Sequence, residues 1–152
     1  MKEKQFNQNV LEDLQEFTEW QKQLIELNYN KKENLQHIFP NYLYYAHLGY
    51  TVGSEQAKDR PVLIVDCYNT SPVCVVIPVT LERLNDDKPY HIDLSNTKGT
   101  ALVEQIRTID KVRIFDYVYH NKKYATITEE DRTKINEQLS KICQLNPLYI
   151  KK

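Results

Sequence analysis

The sequence predicts a mainly β chain with helices, an α+β fold ordered as helix, five or six short strands, helix. Three observations predict it. Residues 5–36 are polar and glycine-free, and their apolar side chains recur every three or four positions. From Tyr42 the pattern changes to short apolar or β-branched runs separated by Gly, Pro, Asn and Asp. At Thr128, a threonine followed by Glu129, Glu130 and Asp131 has the chemistry of a helix N-terminus.

The first helix carries its stripe at Val10, Leu11, Leu14, Phe17, Trp20, Leu24, Ile25 and Leu27. Such a stripe packs on its own domain, on a second copy or on a partner. Tyr29-Asn30 ends or bends the helix, Lys32 to Ile38 adds a turn or two, and Pro40 closes the section. Tyr42 to Leu48 reads as an aromatic-rich strand, followed by Gly49 and Gly53 as loop punctuation. Pro61 to Asp66 reads as a strand buried on both faces. Val73 to Val79 follows the turn Asn69–Pro72, and Pro78 inside it predicts an edge position or a bulge. Tyr90 to Leu94, Ala101 to Thr108 and Lys111 to Phe115 read as further strands, and Tyr117 to Ala125 as irregular. The last helix presents Ile135, Leu139, Ile142 and Cys143 on one face, Asn146-Pro147 stops it, and Leu148 to Ile150 is apolar enough to dock.

Composition bounds the function. A chain of 152 residues fits one domain with a core large enough to fold without staples. With 20 Lys+Arg against 21 Asp+Glu, any nucleic-acid surface must be local and not a property of bulk charge. The 11 tyrosines are numerous enough to offer stacking faces, although strand packing accounts for most. Cys67, Cys74 and Cys143 form no CxxC pair and leave an odd thiol, which reads as a reducing cytosol and not a disulfide framework. Without a secretory h-region or a bilayer-length apolar run, the expectation is a soluble, cytoplasmic protein with no membrane association. His37, His47, His91 and His120 are scattered without ligand spacing, so neither metal nor cofactor is expected.

Chemistry concentrates where polar residues meet strand ends. The glycine-opened loop Gly53 to Asp59 delivers Arg60 to the strand that starts at Pro61, and Val75 to Val79 delivers Thr80. Leu102-Val103-Glu104-Gln105-Ile106-Arg107-Thr108-Ile109-Asp110 adds a third polar set. Structural alternatives stand beside these: an ion pair of Arg60 with Asp59, Glu55 or Glu104, an ordinary strand-end Thr80, and a loop acid Glu55 paired with Lys58 or Arg60. Arg107 and Lys111 are candidate phosphate contacts. His47 is either an acid–base assistant or, more simply, a strand-lining histidine.

Read together and in order, these three segments resemble the MazF/PemK toxin family, the ribosome-independent endoribonucleases of bacterial type II toxin–antitoxin systems. The resemblance runs from about Tyr42 to about Cys143. It implies a small, strongly curved, barrel-like antiparallel sheet with a C-terminal helix, of the kind shared with CcdB, assembled as a homodimer. It divides the chain into an N-terminal helical extension, 1–39, and a toxin domain, 40–152. It further implies metal-independent, sequence-selective cleavage of single-stranded RNA to 2′,3′-cyclic phosphate and 5′-hydroxyl ends, held in check by a cognate antitoxin protein. By position, the family's catalytic arginine falls on Arg60 and its catalytic threonine on Thr80. Glu55 matches an acidic residue of the loop, and Gln105 matches a glutamine near the RNA groove. Ser54, Gln56, Lys58 and Arg107 join them as RNA-binding or supporting residues.

The chain departs from the family at Asn41-Tyr42, where Gly-Asp is common, at His47, where an acid is common, and throughout the region before Pro40. That extra helix is expected to pack beside the barrel or across the dimer and to modulate access to Arg60. The alternative reading is a catalytically quiet or gyrase-poison-like binding protein on the same fold.

Overall fold

The computed structural model describes residues 2–29 and 37–145. Helix α1 (Lys2–Tyr29) is continuous over 28 residues. Among its described side chains, the C-terminal half meets the rest of the protein: Trp20, Leu24 and Leu27 are partly buried, whereas Val10, Leu11, Leu14 and Ile25 are exposed. The predicted turn at Lys32–Ile38 lies outside the described residues as far as Gln36, and His37 and Ile38 are not helical; the Asn146-Pro147 stop and the Leu148–Ile150 tail lie outside them entirely. Among those described, no helix is long and apolar enough to cross a membrane.

The sheet follows as β1 (Leu43–His47), β2 (Asp59–Asp66), β3 (Val73–Thr80), β4 (His91–Asp93), β5 (Thr100–Leu102), β6 (Arg107–Asp110) and β7 (Ile114–Tyr117). Its order is β4-β5-β3-β2-β1-β7, all antiparallel, with β6 also paired to β3. Strand β3 therefore changes partner along one edge: Val73 to Val76 pair with β6, then Val79 and Thr80 pair with β5. Pro78 lies in that changeover, so its missing N–H costs no ladder bond. The expected edge or bulge at Pro78 is corrected accordingly: β3 is a central strand.

This forked pairing curls the sheet. Tyr44, Ala46, Val62, Ile64, Cys74, Val76, Ile109 and Ile114, drawn from β1, β2, β3, β6 and β7, share one buried core. The opposite face packs Leu43, Leu63, Ile77 and Val79 against Ile92, Ala101, Val118 and Ile135. Helix α2 (Glu129–Ile142) closes that second core with Ile135 and the half-buried Leu139; Ile142 and Cys143, assigned to the same face, are exposed. Thr128 and Asp131 form a reciprocal capping box at its start.

Three further readings are corrected. Ala101–Thr108 is not one strand, because a 3-10 turn at Val103–Gln105 separates β5 from β6. Lys111–Phe115 begins as a second 3-10 turn, Lys111–Arg113, capped by the Asp110 carboxylate accepting from the Val112 N–H at 2.9 Å. Tyr117–Ala125 contains a hairpin, β8 (Tyr119–His120) and β9 (Lys123–Tyr124), turned by Asn121 and Lys122, both with positive φ. The cysteine reading also changes. The hairpin register that pairs Asp66 with Val75 brings Cys67 and Cys74 opposite each other, and they are disulfide-bonded; Cys143 is free.

Candidate active site

Strand β2 places Arg60 next to Ala46 of β1 on the face that leads into the curled core. The β2–β3 ladder ends at the pair Val62–Pro78, so Arg60 and Thr80 each lie two residues beyond it at the same end of the two strands. The arginine Nε donates to the Ala57 carbonyl at 3.2 Å, which leaves the far nitrogens of the fork for a ligand. Among the described residues, Arg60 has no carboxylate within ion-pair distance, so the structural ion pair with Asp59, Glu55 or Glu104 is not formed. Asp59 instead contacts His47 Nδ1 at 2.5 Å, and Glu104 contacts His91 at 2.8 Å.

Thr80 pairs with Thr100 and is partly exposed. Close approach here depends on Gly99, whose φ is +132; any Cβ would collide with the Thr80 carbonyl oxygen. Thr100 is fully buried, accepts from the Leu84 N–H at 3.0 Å and donates to Asp93, an arrangement that fixes the strand beside Thr80.

The loop before Arg60 is held from the sheet side by two residues of the third motif. Gln105 Oε1 accepts from the Gln56 N–H at 2.8 Å, while its Nε2 donates to the Ser54 carbonyl at 3.2 Å. Arg107 Nη2 donates to the Gln56 carbonyl at 2.8 Å. These contacts make Gln105 and Arg107 loop anchors. The Gln56 Oε1 and Arg107 Nε atoms are buried without a partner in this structure, a polar pair that ordered water or a ligand would satisfy.

Arg113, which sequence reasoning missed, joins this cluster. Its Nη1 donates to the His47 carbonyl at 3.2 Å. Burial, and then the Arg113 charge, pull the Arg107 guanidinium below its ordinary pKa, with Glu55 opposing. Burial also lowers Arg113, with Asp110 opposing. Both remain cationic at neutral pH, so Arg60, Arg107 and Arg113 make the local basic region that bulk charge does not announce. No signal in the sequence marks Arg113, because its aim depends on the 3-10 turn.

The other predicted residues divide. Ser54 and Gln56 face the site through their backbones, and Glu55 acts on Arg107 electrostatically while its carboxylate accepts from the Val52 N–H. Lys58 turns away, onto Glu16 of α1 at 2.9 Å. Lys111 is remote, donating to the Tyr68 carbonyl at the β2–β3 hairpin. His47 stacks on Phe115, with centroids 4.2 Å apart. Among the described residues, no cluster of three His, Cys, Asp or Glu side chains is placed to hold a metal.

A model of the PemK-like, MazF-like toxin of type II toxin–antitoxin systems matches residues 41–143. Endoribonuclease EndoA of Bacillus subtilis (strain 168) is 34% identical over 106 residues, which cover 64% of this chain and 86% of that protein. Two solved structures share the fold. One is an endoribonuclease in complex with its cognate antitoxin from Mycobacterial species, with a TM-score of 0.56 and 20% identity over 74% of this chain and 100% of that one. The other is MazF (Form-I) from Deinococcus radiodurans, with a TM-score of 0.56 and 18% identity over 74% of this chain and 98% of that one.

Proposed function

This chain belongs to the PemK-like, MazF-like toxin family of type II toxin–antitoxin systems, and on that premise we propose that it is an endoribonuclease cutting single-stranded RNA at selected sequences. What supports the reading is that Arg60 opens β2 and Thr80 ends β3, two strands paired antiparallel, and that among the described residues the arginine fork has no partner beyond the Ala57 carbonyl, beside a loop anchored by Gln105 and Arg107.

The chemistry requires no protein nucleophile. The RNA 2′-oxygen bonds to the adjacent phosphorus as the bond from phosphorus to the 5′-oxygen breaks. One proton leaves the 2′-hydroxyl and one is taken up by the departing oxygen, which leaves 2′,3′-cyclic phosphate and 5′-hydroxyl ends. Arg60 stabilises the charge gathering on the non-bridging oxygens, a task suited to a planar, permanently charged fork. Thr80 donates its hydroxyl to a phosphoryl oxygen and holds the in-line geometry. Arg107 and Arg113 raise the local positive potential that draws in phosphate. No step calls for a metal ion.

In this reading residues 40–152 form the toxin domain and 1–39 an extension to it. The protein acts in the cytoplasm as a homodimer, with a cognate antitoxin protein as its inhibitor. That partner is suggested by the antitoxin complex of the Mycobacterial relative. The test is incubation of the protein with a long, mostly unstructured RNA in the presence of a chelator. Discrete fragments ending in cyclic phosphate are expected, and uncut RNA from folded protein would refute the proposal. In the same assay Thr80→Ala is expected to lower kcat about 10- to 100-fold with little change in KM. Wild-type kcat would remove Thr80 from the site.

A further inference from the structure

Helix α1 precedes the family match at 41–143, yet its contacts converge on the loop that delivers Arg60. The Trp20 indole lies 2.5 Å from where a Cβ on Gly49 would stand, so the absence of a side chain at Gly49 is what admits the ring. The same indole lies under the Arg113 guanidinium, 5.2 Å from the ring centroid. Phe17 meets Tyr50 edge-on with centroids 5.4 Å apart, Gln23 Nε2 reaches His47 Nδ1 at 2.9 Å, and Glu16 pairs with Lys58. The Glu16–Lys58 pair is solvent-exposed at both ends and holds little by itself. Trp20 is the contact with weight.

The loop needs such a support. Its neck is closed by the Lys58 N–H donating to the Gly49 carbonyl at 2.7 Å, with φ of 90° at Gly49 and 63° at Lys58. A left-handed lysine persists where its surroundings over-determine the backbone. Gln105 and Arg107 hold the loop from the sheet side at residues 54–56, and α1 holds it from outside at its neck. Arg60 follows directly. The groove of about 740 Å³ between α1 and the loop carries Glu16, Glu19, Glu26 and Asp59 against Lys22 and Lys58. An acidic lining of that kind is a poor surface for RNA phosphate.

We infer that α1 is a positioning element of the active site and Trp20 its positioning residue: the indole, seated on Gly49 and beneath Arg113, fixes the loop and the arginine cluster in the geometry where Arg60 acts. The inference rests on the ribonuclease reading above. It assigns α1 chiefly to rate, with an effect on substrate affinity limited to what Arg113 contributes.

The full-length wild type, Trp20→Phe and Trp20→Ala are compared by kcat and KM on one RNA and by amide exchange across the chain. Trp20→Ala is expected to lower kcat about 10- to 100-fold, with a smaller rise in KM through Arg113. Exchange at residues 49–58 should accelerate while β2 and β3 stay protected, which shows the fold intact. Trp20→Phe, which keeps a smaller ring on the same seat, should fall between the two. It also carries the test if the alanine variant does not fold. Unchanged kcat overturns the inference. So does a raised kcat, which would make α1 a shield over the site, or a rise in KM alone, which would make it an RNA contact. If the wild type itself leaves RNA intact, the ribonuclease reading fails separately, and exchange at 49–58 alone decides the role of Trp20: acceleration supports it and no change ends it.

Discussion

Arg60→Ala is expected to reduce kcat/KM for RNA cleavage by about 10²- to 10³-fold, equivalent to about 3–4 kcal/mol of transition-state stabilisation. The size follows from how little else employs this side chain. Among the described residues its Nε alone is engaged, with the Ala57 carbonyl, and no acid neutralises it. Its charge is therefore available where the phosphorane develops. Arg60→Lys should recover only part of the loss, because an ammonium group is a point charge and cannot fork two oxygens. Both variants should melt close to the wild type, since Arg60 lies half-buried at the end of β2 and outside both cores. Near-wild-type cleavage by Arg60→Ala would exclude it from the chemistry.

The largest expected effect on stability comes from Asp131. Its fully buried carboxylate accepts from the Ser95 N–H at 3.0 Å, from the Ser95 hydroxyl at 2.7 Å and from the Thr128 N–H at 3.3 Å. One side chain thus caps α2 and ties it to the β4–β5 loop, whose far end is Gly99, packed against Thr80. Asp131→Ala strands those donors and should cost about 3 kcal/mol, lowering Tm on the order of 10 °C. Burial alone would raise the Asp131 pKa, but the hydrogen bonds from Ser95 and Thr128 outweigh it and hold the carboxyl below its ordinary value. A depressed folded pKa means that its stabilisation is complete above about pH 4 and is lost as pH falls through the folded value. The gap between wild type and Asp131→Ala, measured by thermal unfolding, should therefore narrow in acid. A gap independent of pH would contradict this assignment.

What the sequence disclosed was the local part of the problem. The α1 stripe, the β-branched runs of β2 and β3 and the Thr128–Asp131 cap are set by neighbours in the chain, and each stands within a few residues of its expected place. The two 3-10 turns were hidden, because the apolar runs around Val103 and Val112 read equally well as strand; tertiary pairing of β3 with two partners decides them. Pro78 is the visible clue to that fork, although from sequence it reads equally as an edge position or a bulge. Asn121 was a turn signal inside a segment read as irregular. The spacing of seven between Cys67 and Cys74 matches one hairpin turn, a relation that only the register exposes.

Arg60, Thr80, Gln105 and Arg107 could be singled out from the sequence because each sits in an ordered motif at a strand or turn boundary; the part that Arg60 and Thr80 play in catalysis is what the assays above test. Gln105 and Arg107 nevertheless serve the loop backbone, a use their motif does not specify. Arg113, Gly99 and Trp20 were not legible. Their contributions consist of approach to residues 19 to 93 positions away along the chain, and no local pattern encodes such distances. The ion pair of Lys58 was hidden for the same reason: its partner, Glu16, is 42 residues distant.

The most direct test of the central claim uses an RNA oligonucleotide spanning one mapped cleavage point, incubated with the protein and a chelator, beside the same strand with a single 2′-deoxynucleotide on the 5′ side of the scissile phosphate. The account predicts cleavage of the first, ending in cyclic phosphate, and no cleavage of the second at that position. Equal cutting of both strands would mean that the 2′-hydroxyl is not the nucleophile and that the roles given to Arg60 and Thr80 are wrong.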